Sequence, residues 1–105
     1  MVKQVIGRLL YDTEKATVIA EAGDAFSSDD FRYEWETLYK TAKGRWFLHG
    51  EGGALSKYAQ NLPDNGTVGS WRISAMTDVE VMDWLERHNI WSVMQDCFPS
   101  EVEEA

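Results

Sequence analysis

Residues 33–50, YEWETLYKTAKGRWFLHG, alternate as a pair of antiparallel strands does. Tyr33, Trp35, Thr37 and Tyr39 share one parity, and Glu34, Glu36, Leu38 and Lys40 the other. Beyond Ala42-Lys43-Gly44 the alternation resumes, with Trp46 and Leu48 on one face and Arg45, Phe47 and His49 on the other. Successive strand residues point to opposite faces, so each strand acquires two chemically distinct sides. Gly44 can supply the positive φ that closes a three-residue hairpin loop. That loop sets Tyr39 opposite Phe47, Leu38 opposite Leu48 and Thr37 opposite His49, and such cross-strand pairs fix the register.

Working outward, VIGRLLYD (5–12) and ATVIAEA (16–22) are rich in β-branched and aliphatic residues, and they predict a hairpin across Thr13-Glu14-Lys15. GDAFSSDDF (23–31) reads as a loop and NLPDNGT (61–67) as a turn cluster. The strand expected over 67–76 would bury Val68, Trp71 and Ile73. Thr77-Asp78-Val79-Glu80 then matches a capping box, in which threonine and glutamate satisfy each other's free backbone donors. In the helix that follows, Val81, Trp84, Leu85 and His88 share one arc with Met82 at its edge, and Glu80, Asp83, Glu86 and Arg87 oppose them. A second helical segment is expected over 91–98, with Trp91, Met94 and Phe98 on one face, and Pro99 ends it. The predicted fold is α+β: a four- or five-stranded antiparallel sheet with one or two C-terminal helices packed on it. Residues 1–76 would supply strands and turns, 77–98 helix, and 99–105 an acidic tail.

A chain of 105 residues, 44% apolar, with five Trp, four Tyr and four Phe, can build one core, so a single domain is expected. Cys97 is the only cysteine, which rules out an intramolecular disulfide and fits a reducing compartment. The opening MVKQVIGRLLYD lacks a signal-peptide core, and no window approaches about 18 uninterrupted apolar residues. A soluble, cytoplasmic protein is therefore expected, with no membrane partner.

Net charge is −8, the wrong sign for neutralising phosphates, so direct nucleic-acid binding is not expected. The excess is concentrated at one end. Residues 1–76 carry ten acids against nine bases, whereas residues 77–105 carry Asp78, Glu80, Asp83, Glu86, Asp96, Glu101, Glu103 and Glu104 against Arg87 alone. A solvated helix face is the plain alternative, but such faces usually carry both signs in balance, and here only Arg87 offsets the acids. These eight acids are the candidate partner-binding residues, and a field of that sign suits a basic groove on another protein, with charge complementarity governing rate and selectivity. Basic grooves of this kind commonly hold nucleic acid, so an acidic occupant would act as a competitive decoy, a DNA mimic.

HGEGG (49–53) invites a chemical reading, through an oxyanion pocket or a phosphate loop. It lacks a G-x-S-x-G nucleophile turn and P-loop spacing, and Glu51 would repel a phosphate despite Lys57 nearby. Ser56 and His88 complete no recognisable triad. The stronger reading makes His49 the end of a strand, with Gly50, Gly52 and Gly53 permitting an irregular turn or bulge. No metal-ligand spacing links His49 to His88, so neither metal nor cofactor is expected, and no enzymatic activity. Lys40, Lys43 and Arg45 gather at the hairpin tip beside Trp46, a small basic patch of the kind that also protects sheet edges.

YDTEKAT (11–17), FRYEWETLYKTAKGRWFLHGEGGALSKYA (31–59) and FPSEVEEA (98–105) resemble a family of short proteins encoded on bacterial phages and integrative elements, WFLHGEGGALSKYA being the most specific block. The resemblance implies a mobile-element setting inside a bacterial host. Small acidic proteins of such elements often inhibit host defence, anti-CRISPR proteins among them. It implies no catalytic residue.

Overall fold

The computed structural model describes residues 2–23 and 30–105. Most of the loop expected over 23–31 therefore lies outside the described residues. The centre is an antiparallel sheet of four strands: β3 (Thr17–Gly23), β4 (Glu34–Lys40), β5 (Trp46–Gly52) and β8 (Ser70–Met76), in the order β3-β4-β5-β8. The β4–β5 hairpin has the register that alternation predicted, with Thr37 opposite His49, Leu38 opposite Leu48 and Tyr39 opposite Phe47. Gly44 takes a φ of 85° in its loop, where the Thr41 carbonyl accepts from the Gly44 amide at 2.9 Å.

The N-terminal hairpin differs from expectation. Residues 5–12 do not form one strand paired with 16–22; they fold on themselves, β1 (Lys3–Ile6) pairing with β2 (Leu9–Asp12) in a separate two-stranded sheet. Gly7 and Arg8, at φ 57° and 67°, form the connecting two-residue turn. Two positive φ values give the twist that tight hairpins favour. Thr13-Glu14-Lys15 caps β2, with Asp12 accepting from the Glu14 amide at 3.0 Å, and leads β3 away to pair with β4.

The expected strand over 67–76 also divides. β7 (Thr67–Val68) pairs with β6 (Gln60–Asn61) across the turn cluster, and β8 begins after Gly69. A Cβ at Gly69 would stand 2.6 Å from the Gly52 carbonyl oxygen, so the chain crosses β5 where only glycine fits. Ile73 is buried as expected, but Val68 and Trp71 are 44% and 46% exposed. Val68 lies on the small outlying hairpin, and Trp71 lies on a part of the sheet that the N-terminal hairpin does not reach.

Helix α1 (Asp78–Arg87) starts at the predicted capping box, and α2 (Trp91–Cys97) follows, then a 3₁₀ turn over Pro99–Glu101. Val81, Trp84 and Leu85 bury against Leu38, Trp46 and Leu48 on one face of the sheet. On the other face Tyr11 brings the N-terminal hairpin onto Phe47 and Ile73. Phe47 stacks on Tyr39 at 4.9 Å and meets Tyr11 edge-on at 5.3 Å, both favoured aromatic geometries. Trp91, expected on a packed face, is 66% exposed; within α2 only the side of Val93, Met94 and Cys97 turns to the core. Among the described residues no helix is long and apolar enough to cross a membrane.

Candidate functional site

The eight C-terminal acids separate into three groups. Asp78 and Glu80 serve the fold: Asp78 Oδ1 accepts from the Trp46 indole nitrogen at 2.9 Å, and Glu80 Oε1 accepts from the Thr77 amide at 2.9 Å while Thr77 Oγ1 accepts from the Glu80 amide at 3.2 Å. Both bonds spend a carboxylate oxygen locally, at the N-terminal end of α1 where the helix dipole favours negative charge.

Glu86, Glu101 and Glu103 come together. They line a groove of about 280 Å³ between the end of α1, α2 and the C-terminal tail, whose apolar lining includes Ile90, Trp91, Met94 and Val102. The tail turns through the 3₁₀ segment at Pro99, and Phe98 stacks on Trp46 at 5.8 Å, which anchors the segment leading into it. Asp83, Asp96 and Glu104 are exposed on the same C-terminal part without lining the groove. The arrangement offers a cationic partner three carboxylates around an apolar floor, a combination that can hold an Arg or Lys side chain by charge and by its aliphatic stem.

HGEGG continues a strand where an irregular turn was expected. His49 does not end a strand; β5 runs on to Gly52. Neither Gly50 nor Gly52 uses a positive φ. They are needed for close approach: a Cβ at Gly50 would fall 1.9 Å from the Tyr58 ring, and one at Gly52 2.1 Å from Ser56 Oγ. His49 and Glu51 share a face, but Glu51 Oε1 accepts from the Tyr33 hydroxyl at 3.1 Å, and His49 Nε2 is buried without a hydrogen-bond partner among the described residues. Burial holds the His49 pKa below its ordinary value, outweighing the attraction of Glu51. Ser56 Oγ donates to the Gly53 carbonyl at 2.8 Å, whereas His88 Nε2 sits 3.7 Å from Glu36, so the two triad nominees are held by different partners.

The polar centre that sequence reasoning missed is Glu36. It is 5% exposed on the helix-covered face, and its carboxylate accepts from the Tyr58 hydroxyl and, at 3.0 Å, from the Trp84 indole nitrogen. Lys57 Nζ lies 3.0 Å from Oε2. Burial pushes the Glu36 pKa up, but the bonds from Tyr58, Trp84 and Lys57 outweigh it, and the net shift is downward. Tyr58 is pushed up, first by burial and then by Glu36. A signal was present: the inward parity of β4 carries Glu36, and the apolar arc of α1 carries Trp84 and His88, whose ring nitrogens need a partner when buried.

No protein-family model matches this chain, and no curated protein or solved structure matches it either.

Proposed function

We propose that this chain is a non-enzymatic binding protein that docks its acidic C-terminal face on the basic, nucleic-acid-binding surface of a protein partner and so displaces the nucleic acid. In the mobile-element setting that the resemblance implies, the partner is a bacterial host-defence complex, and a CRISPR effector is the target of choice. The observation that carries this reading is the groove bordered by Glu86, Glu101 and Glu103, with Asp83, Asp96 and Glu104 exposed nearby and only Arg87 of opposite sign in residues 77–105. Carboxylates so placed present the charge of a phosphate backbone without its nucleotides.

The test is competition on purified effector complexes. The chain should displace guide-matched DNA, with affinity falling as salt rises. Changing Glu86, Glu101 and Glu103 together to Lys should weaken binding at least about tenfold, with the fold intact because all three are exposed and, among the described residues, none of their carboxylates holds a hydrogen bond or ion pair. Unchanged affinity in that variant, or no binding to any effector, would sink the reading.

A second reading has its own observation. Trp91 stands 66% exposed at the same groove, which suits an accessory protein of the element that grips a host protein by an aromatic anchor without any defence role. Trp91→Ala separates the two: loss of binding with little salt dependence favours the anchor, whereas strong salt dependence with a small effect of Trp91 favours the decoy.

A further inference from the structure

At the opposite end of the chain's charge distribution lies a cavity that the acidic face does not use. It measures about 320 Å³, sits between the N-terminal hairpin and the β4–β5 loop, and is lined by Leu9, Leu10 and Tyr11 together with Lys15, Lys43 and Arg45. That volume is at the small end of ligand pockets, which are mostly apolar with a few convergent polar groups.

Two features set it apart from an ordinary surface dip. Leu9 and Leu10 remain 39% and 57% exposed, so apolar surface is left in water beside a floor made by the buried Tyr11 ring. The three cations also lack counterparts: among the described residues none of them has a carboxylate within 4.0 Å, on a chain whose net charge is −8. The carboxylate that does line the cavity, Asp12, is buried and accepts from the Glu14 amide. Lys40, by contrast, is engaged over the Trp46 ring at 4.7 Å.

We propose that this cavity binds a small amphiphilic anion. The cavity takes roughly ten heavy atoms in all at a water-like ~30 Å³ each, and the apolar body of the ligand lies against Leu9, Leu10 and the Tyr11 ring. Its carboxylate or phosphate head is held by Lys15, Lys43 and Arg45, the guanidinium offering a two-pronged contact that suits either group. The site is independent of the acidic groove and of the reading attached to it.

Amide-shift titration of the full chain tests it with three probes that share one tail: octyl phosphate, octanoate and the neutral octyl glucoside. Both anions should give saturable shifts at Leu9, Leu10, Lys43 and Arg45, and the tighter of them should bind at least about tenfold better than the glucoside, a head-group contribution of about 1.4 kcal/mol. The better of the two anions names the head group. Changing Lys43 and Arg45 to Glu should reduce the anions to the level of the glucoside, while Leu10→Asp should weaken all three. These side chains are exposed, and an unchanged spectrum away from the cavity verifies the fold. Equal binding of the glucoside, or absence of saturable shifts, overturns the proposal. So do cavity shifts that appear on concentrating the protein alone and vanish when Glu101 and Glu103 are changed to Lys, because the occupant would then be the acidic tail of a second copy.

Discussion

A carboxylate on the helix-covered face of a sheet loses its hydration, and Glu36 offsets that loss with three donors drawn from two elements. Lys57 and Tyr58 come from the segment after β5, and Trp84 from α1. The side chain thereby ties helix, loop and strand together. Glu36→Leu would leave the Tyr58 hydroxyl and the Trp84 indole without acceptors, at a cost of about 2–4 kcal/mol, read as a lower urea midpoint; Glu36→Gln, which retains an acceptor, should cost less. The same residue sets an acid limit. Its folded pKa lies below the ordinary glutamate value, so its stabilisation is present at neutral pH and is lost as pH falls below about 4.5. His49 acts in the same direction at higher pH: its folded pKa is lowered by burial, the unfolded chain takes up the proton first, and stability declines as pH drops below about 6.5. Urea midpoints measured from pH 7 to pH 3 should therefore fall in two stages, the first removed by His49→Gln and the second by Glu36→Gln.

Among the elements, the N-terminal hairpin carries the clearest local tension. Arg8 holds φ at 67°, in the left-handed region where a Cβ is disfavoured, because the two-residue turn requires it. Arg8→Gly should raise stability by about 0.5–1 kcal/mol, seen as a higher thermal midpoint with an unchanged spectrum; a fall would mean that the arginine side chain contributes more than the backbone loses. Helix α1 shows the opposite case, in which local sequence and tertiary packing agree. Its capping box, its apolar arc of Val81, Trp84 and Leu85, and the Asp78 bond to Trp46 all fix one placement on the sheet. Of the expected arc, Val81, Trp84 and Leu85 are buried, because helical period and burial select the same residues there; His88, expected beside them, is the exposed C-cap, where the helix ends and leaves the sheet.

Over the whole molecule, extents of 50 × 35 × 19 Å describe a flat body, with helices packed on one face of the sheet and, among the described residues, the N-terminal hairpin on the other. Its charge is as uneven as its shape, since residues 77–105 hold eight acids against one base. That end repels itself, and among the described residues the Arg32–Asp30 and Lys57–Glu36 ion pairs both lie outside it. Raising NaCl from about 0.05 to 0.5 M shortens the screening length several-fold and should raise the thermal midpoint; a falling midpoint would show that ion pairs, not repulsion, dominate the balance.

The hairpin at 33–50, its register, the capped helix and the concentration of acid at one end were legible in the sequence, because each depends on spacing alone: parity for a strand, a 3.6-residue period for a helix, and counting for charge. Residues 5–12 were misread because a two-residue Gly-Arg turn is nearly invisible in a run of aliphatic side chains. Trp71 and Trp91 were misread because hydrophobicity predicts a wish for burial and not whether another element arrives to cover it. HGEGG looked like a turn, yet its glycines answer to Tyr58 and Ser56, residues several positions away that only folding brings against β5. The meeting of Glu36 with Tyr58 and Trp84, the gathering of Glu86, Glu101 and Glu103, and the cavity that joins Lys15 to Lys43 and Arg45 depend on how separate elements approach. Local spacing cannot specify that approach, since the free energy that sets it comes from burial and polar pairing between elements distant along the chain.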